Sequence, residues 1–367
     1  MNIVFLLRYI DSGGITRVVN DSSNFLIDKK HNVFIIYGKF LGEENAFEEI
    51  LKTNPNINLI QIKGLSLEFP YFFILPFSIA KYLYHIYVNK IDIVHLHWLS
   101  LSFVCLFSKH LFKIPFITTT HLINKSNTTF PRFYSNYNIS ISREISIWLK
   151  DVEKVNIKHI YQIFNSVSEH EFPYHSHYHR QINKENLGYK NKLVLLCLAR
   201  FEKVKRHDII INALSKLKKD NFILFLAGEG VLLNEVKNMV VKNNLTNKVK
   251  FIGHVDPREL LSLSDVILLT SDQEGFPMSI IEAMYSGVVP IRTNSEGAYD
   301  QIIDGYNGFL IDKGNTDQLA HALNDLLEQS KQLEELSKNG YKYAIEHFNF
   351  ITNQNKIIEL YKLLNNK

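Results

Sequence analysis

The feature that most restricts how this chain folds is an alternation of short apolar runs with amphipathic stretches. In the first half the runs are residues 3–7, 33–37, 59–62, 91–96, 116–120, 139–142 and 160–164. Runs this short, largely apolar and bounded by polar residues predict strands buried on both faces. Helical spacing separates most of them, as in residues 15–27 and 78–88. A second series starts at 193–199 and continues through 222–227, 249–252, 266–269 and 288–291. Ile209, Ile210, Ala213, Leu214 and Leu217 form the buried stripe of its first helix. Strands alternating with helices build parallel sheets. The expected class is therefore α/β, with two Rossmann-like doubly wound domains facing each other across a cleft.

A length of 367 residues accommodates two cores. The expected boundaries are 1–168 for the first domain, 169–192 for a polar, His/Tyr-rich linker and 193–348 for the second domain. A C-terminal helix over 349–367 carries Ile357, Ile358, Tyr361 and Leu364 on one face and can pack on either domain. Within the linker, His175, His177 and His179 alternate, which in an extended strand would put them on one side. No Cys or acidic residue stands nearby at ligand spacing, so a solvated loop is expected there rather than a metal site.

Cys105 and Cys197 sit inside apolar runs and are expected to be reduced core residues, which suits a cytoplasmic location. The first residues turn polar at Arg8 and predict a strand rather than a signal peptide. Residues 1–168 hold 17 Lys and Arg against 12 Asp and Glu, and the rest hold 24 against 25. A net charge of +4 is too small, and too poorly striped, for a nucleic-acid partner. The aromatic-rich segment with Phe69, Tyr71, Phe72, Phe73, Phe77, Tyr82, Tyr84 and Tyr87 is too interrupted by Pro70, Pro76, Lys81 and His85 to span a bilayer. Two explanations stand for it: a peripheral contact with an anionic membrane face, or a core helix with a wet edge.

The chemistry concentrates in residues 272–287. The run 266–269 predicts a strand, and Met278, Ile281, Ala283 and Met284 recur at helical spacing. Pro277 suits a first helical position, and Gly287 suits the left-handed residue that ends a helix. A strand, tight turn and helix present free N–H groups and a positive dipole end to an anion. Glu274 in the turn and Glu282 on the helix need a reason to stand beside it. Arg200 and Lys205, five residues apart after the strand 193–199, supply cations that can clamp a diphosphate.

Arg200-x4-Lys205, followed by Glu274-Gly-Phe-Pro-x4-Glu282, resembles the retaining glycosyltransferases of family 4, the Glu-x7-Glu type with the GT-B fold. Further matches are Gly13-Gly14, His121 after Thr118-Thr-Thr120, Ile139-Ser-Ile-Ser142, Asn165-Ser-Val167, Ala227-Gly-Glu-Gly230, Ser295-Glu-Gly-Ala298 and Asp304-Gly-Tyr-Asn-Gly-Phe309. The resemblance implies that Arg200 and Lys205 hold the diphosphate of a UDP- or GDP-sugar, helped by backbone N–H groups at Gly14. Glu282 would receive the ribose hydroxyls. Glu274 and the Gly275, Phe276, Pro277 and Met278 backbone would face the transferred sugar, with His121 contacting it from the other domain. Transfer would keep the anomeric configuration, the leaving phosphate helping to deprotonate the acceptor on the same face.

The chain departs from that pattern in three places. Arg206 stands where Gly is frequent and would either contact phosphate or face solvent. Asp300 replaces Glu after the Gly-Ala turn, and Asn165-Ser166-Val167 replaces Asn-Gly-Val. There is no Asp-x-Asp, so no divalent metal and no other cofactor is expected. On the acceptor side, strand alternation puts His95 and His97 on one face; His95 is expected to pack in the core, and His97 and Trp98 to line the acceptor pocket. Arg17, Asp11 and Ser12 are weaker acceptor candidates.

The expected function is a cytoplasmic, membrane-peripheral glycosyltransferase of hexosyltransferase type. It would act on a glycan or lipid-linked glycan in surface polysaccharide or lipopolysaccharide synthesis. Two alternatives are a GT-B nucleotide-sugar epimerase and a catalytically silent GT-B subunit that binds a partner.

Overall fold

The structure, a computed structural model, describes residues 1–11, 13–41, 54–123 and 132–365, without the side chains of Phe72 and Ser330. Ser12 lies outside the described residues. The chain divides into two compact units: Met1–Asn165 with Ile351–Lys367, and Ser166–Phe350.

The first unit holds strands β1 (Asn2–Ile10), β2 (Asn32–Phe40), β3 (Asn58–Gln61), β4 (Ile93–Leu96), β5 (Phe116–Thr120), β6 (Asn138–Ser140) and β7 (Ile160–Gln162). All pair in parallel, in the order β3-β2-β1-β4-β5-β6-β7. Apolar side chains alternate between two faces and build one core on each, which explains the continuous apolar runs. The second unit repeats the plan with β8 (Leu193–Leu198), β9 (Phe222–Ala227), β10 (Val249–Gly253), β11 (Val266–Leu269), β12 (Val289–Thr293) and β13 (Phe309–Ile311). Its order is β10-β9-β8-β11-β12-β13, again all parallel. In each sheet the order reverses beside the first strand, between β1 and β4 and between β8 and β11. Such switch points open a crevice at the carboxyl ends of the strands.

The helix Phe350–Asn365 belongs with the first unit from Ile351 onward. Its Ile358, Leu360, Tyr361 and Leu364 join the core on one face of β1, and Gln354 Nε2 donates to Ser22 Oγ at 2.9 Å.

The polar stretch 169–192 is not a bare connection. It lies within the second unit and contains the helix His177–Asn186. Ser176 Oγ caps that helix by accepting from His179 N at 3.3 Å. His177 and His179 thus occupy a helical turn, not alternate positions of a strand. The segment looks hydrophilic because two of its charges point inward. Lys184 donates to Asp265 Oδ2 at 2.8 Å, with 2% and 1% of the two side chains exposed. Arg180, also buried, donates to the carbonyls of Ser286 and His175 at 2.9 and 3.2 Å.

Among the described residues no three His, Cys, Asp or Glu side chains gather into a metal-holding group. No described helix is long and apolar enough to cross a membrane.

Candidate active site

In the second unit, β8 and β11 pair directly, Leu195 with Val266 and Leu196 with Ile267. The loops leaving their carboxyl ends carry Arg200 to Lys205 and Asp272 to Pro277. Backbone ties lock these loops together: Asp272 N donates to Val204 O at 2.9 Å, and Thr270 Oγ1 to Arg206 O at 2.9 Å. As a result Lys205 Nζ donates to Glu274 Oε1 at 2.7 Å, both side chains being largely buried. Two residues 69 positions apart meet because the switch point brings their strands side by side.

Pro277 is extended, at φ −63° and ψ 125°, and the helix begins one residue later at Met278. The proline thus ends the turn rather than opening the helix. Gly287 ends the helix at φ +75°, the left-handed geometry its position predicted. Glu282 is buried on this helix, and Phe276 packs edge-on against Phe348 with ring centroids 5.4 Å apart.

Arg200 is not drawn into the Lys205–Glu274 pair. Its side chain is 57% exposed and its guanidinium lies 3.3 Å from Glu202 Oε1, a surface pairing weak enough to yield to an anion. Arg206 corrects both expectations for it. It adopts φ +52° and ψ +47°, the left-handed conformation for which glycine is the easy choice. Its side chain is committed to Asp208, at 2.8 and 2.9 Å, and to Asp272, at 3.2 and 3.3 Å. Those contacts raise its pKa further and remove it from the set of free phosphate ligands.

A second loop, Ser295 to Ala298, is held by a residue outside the matching motif. Arg292 on β12 is fully buried. It donates to Gln301 Oε1, to Ser295 Oγ at 2.8 Å and to Glu296 O at 3.1 Å, while Gln301 Nε2 donates to Pro277 O at 2.9 Å. This bridge fixes the Glu274 turn against the Ser295 loop. At Gly297, φ +74°, a Cβ would stand 2.3 Å from Gly275 O, so only glycine permits this approach. A charged residue within the apolar pattern of a strand gave no sequence cue to such a role.

In the first unit, β1 ends at Ile10 and the helix Gly14–Asp28 follows. A Cβ at Gly14 would meet nothing within 4 Å, so packing does not require glycine there and the backbone is open to approach. Asp11 braces the turn: its Oδ1 accepts from Gly13 N at 3.0 Å and from Thr16 Oγ1 at 3.1 Å. Arg17 lies along the helix, 3.7 Å from Asp21.

Beside that turn, β4 and β5 deliver a histidine cluster. His95 lies in the core, with Nδ1 2.6 Å from Tyr361 Oη and Nε2 2.7 Å from Thr119 Oγ1. His97 does not stand alone: its Nδ1 is 2.8 Å from His121 Nε2, and the rings stack at 22°. Alternation along β4 predicted that His95 and His97 share a face, and their ring centroids are 4.3 Å apart. Trp98 meets the edge of Tyr9 at 5.4 Å. Among the described residues, His97 Nε2, Trp98 Nε1 and Thr120 Oγ1 are buried without a hydrogen-bond partner. An unsatisfied buried polar atom costs about 1–3 kcal/mol, so each of these atoms would gain from a further partner.

Burial keeps these histidines neutral. It lowers the pKa of His121 to about 4 and that of His95 to about 3, the latter with help from His121, and it lowers His97 well below its ordinary value. In the unfolded chain each would titrate near 6.5. The unfolded state therefore binds more protons below that value, and stability falls from about pH 6.5 down through the folded pKa values. His121→Gln is expected to flatten this fall by about one proton, or about 1.4 kcal/mol per pH unit between pH 6 and 4.5. Urea unfolding at a series of pH values checks this; an unchanged slope would mean His121 is not held neutral.

Comparison with known proteins bears on what the two halves are. Residues 12–155 match the family model "Glycosyltransferase Family 4", and residues 179–343 match "Glycosyl transferases group 1". An uncharacterized glycosyltransferase of Methanocaldococcus jannaschii is 28% identical over 344 residues, 90% of either chain. A UDP-Gal:alpha-D-GlcNAc-diphosphoundecaprenol alpha-1,3-galactosyltransferase of Escherichia coli is 29% identical over 187 residues, 49% of this chain and 48% of that one. The structure of Anabaena HepE in complex with UDP superposes with a TM-score of 0.83 at 20% identity, over 98% of this chain and 99% of that one. Two parallel-sheet Rossmann-like units and this likeness give the fold as GT-B.

Proposed function

We propose that this chain, a family 4-like glycosyltransferase by the match of both its halves, is a retaining hexosyltransferase. It would move one sugar from a UDP- or GDP-sugar to a glycan or lipid-linked glycan in surface polysaccharide or lipopolysaccharide synthesis. The observation that carries this is the Lys205–Glu274 pair at the β8/β11 switch point, with buried Glu282 on the adjoining helix. A cation able to meet a diphosphate and a carboxylate able to meet sugar hydroxyls are already in contact there. The Escherichia coli relative, a UDP-Gal:alpha-D-GlcNAc-diphosphoundecaprenol galactosyltransferase, supports the substrate class.

In this proposal the bond between the anomeric carbon and the diphosphate oxygen breaks, and the leaving diphosphate takes both electrons. Lys205, exposed Arg200 and the N–H groups at the start of helix Met278–Tyr285 stabilise that charge. The acceptor hydroxyl attacks from the same face and passes its proton to the departing phosphate. Glu274 and the Gly275–Met278 backbone position the sugar, and Glu282 receives the ribose hydroxyls. The first unit would supply Gly14 for the phosphates and His121 for the sugar, with His97 fixing the tautomer of His121. Trp98, Arg17 and His97 form the acceptor-side set. The cationic clamp takes the part that a divalent metal plays in metal-dependent transferases, so transfer is expected to proceed without one.

The test is to screen UDP- and GDP-sugars with glycan acceptors, with and without a chelator, and to read the product anomer by NMR. Transfer with the donor's anomeric configuration, unaffected by chelator, is expected. An inverted product or chelator-sensitive turnover would overturn the mechanism. Nucleotide released without acceptor would point to an epimerase, and no nucleotide binding at all to a silent subunit.

A further inference from the structure

We propose that one face of the first unit, built from residues 69–88 and the helix Ser102–Phe112, docks on a lipid bilayer with anionic headgroups. The face is apolar where a soluble surface would be polar. Phe69 and Phe77 are 83% and 78% exposed, and Phe73, Tyr84, Tyr87 and Leu111 are exposed with them. The exposure follows from helical geometry. On helix Leu75–Val88, Ser78, Tyr82 and Ile86 are buried, which turns Phe77, Lys81, Tyr84 and Val88 together to the opposite side. The two helices form one surface: Tyr82 Oη is 3.0 Å from Ser108 Oγ beneath it, and the Tyr87 and Phe112 rings are 5.7 Å apart at its edge.

Charge chooses the occupant. Residues 69–113 contain Lys81, Lys90, Lys109 and Lys113, all exposed, against a single acidic residue, Asp92. That carboxylate accepts from Asn2 N at 2.7 Å and is committed within the fold. Glu68, at the border, is neutralised by Lys39 at 2.8 Å. Lys81 lies within the aromatic stripe, and among the described residues its ammonium meets only Gln61 O, at 3.4 Å, a contact weak enough to let it extend beyond the rings. Aromatic side chains that enter the headgroup layer, interleaved with lysines that reach anionic phosphates, satisfy both demands of such a bilayer. A second copy of the same face would bring lysines against lysines, and this disfavours self-association. Sugar transfer plays no part in these observations, so the inference stands or falls apart from the proposed activity.

The test is flotation of the full chain with phosphatidylcholine vesicles and with vesicles that also contain phosphatidylglycerol. Binding is expected to the second kind and to weaken at high salt. Phe77→Asp and Tyr84→Asp should each reduce it at least about tenfold, and Lys81→Glu at least about fivefold. Because these side chains are exposed, thermal unfolding of the variants should match the wild type. Failure to float with anionic vesicles, or binding indifferent to all three substitutions, would overturn the proposal. So would a dimer in sedimentation that Phe77→Asp dissolves, which would assign the face to a second copy.

Discussion

Lys205→Ala is expected to lower the rate of sugar transfer about 10²–10³-fold, the usual cost of removing one group that stabilises a developing charge. Lys205 meets Glu274 at 2.7 Å in a site that is mostly closed to solvent. With a diphosphate present, its ammonium would serve two anions at once, drawing the leaving group towards the carboxylate that positions the sugar. Alanine removes that bridge and leaves Glu274 repelling the phosphates. Glu274→Ala should abolish transfer, and for a different reason: the cation remains while the sugar loses its anchor. Steady-state kinetics on both variants, with circular dichroism to establish that they are folded, decides the point. Near-normal turnover in either would show that the donor is held elsewhere.

The largest effect on stability is expected from Lys184→Met, at about 3–5 kcal/mol. The loss does not measure the strength of the Lys184–Asp265 pair. It arises because Asp265, buried and also accepting from Val194 N at 2.8 Å, would lose its hydrogen-bonded cation and keep only the longer-range attraction of Arg180. Adding Asp265→Leu should recover part of the deficit by removing the stranded charge, although the Val194 N–H then lacks its acceptor. Urea unfolding of the two variants separates these contributions. A Lys184→Met midpoint equal to the wild type would mean the helix His177–Asn186 is not anchored through this residue.

These two sites show how unevenly the sequence revealed the structure. Strands buried on both faces announce themselves, and so does the turn before Met278, where proline and glycine sit next to an apolar run. The fold class and the contact between the Arg200 and Glu274 loops follow from those features once the strand order is known. Lys184, Arg180 and Arg292 gave no such cue. A buried charge looks like a surface charge until its partner is found, and those partners lie 81, 106 and 9 residues away. This is why 169–192 looked like a linker. Period-two alternation aligned His95 with His97, but only the β4–β5 pairing brings His121 to His97. Arg206 shows the converse case: the position demands a left-handed residue, and here two aspartates hold an arginine in the conformation that glycine adopts freely.

The helix Phe350–Asn365 carries a consequence for biogenesis. It supplies Ile358, Leu360, Tyr361 and Leu364 to the core of a unit whose other residues precede Ser166. On the ribosome, the first unit emerges early but lacks the Tyr361 hydroxyl that His95 meets, and much of the cover for one side of its sheet. The second unit is continuous in sequence and has all of its strands before that helix is made. The second unit can therefore complete its sheet while the first still waits for the helix Phe350–Asn365, although the strands of the first are made earlier.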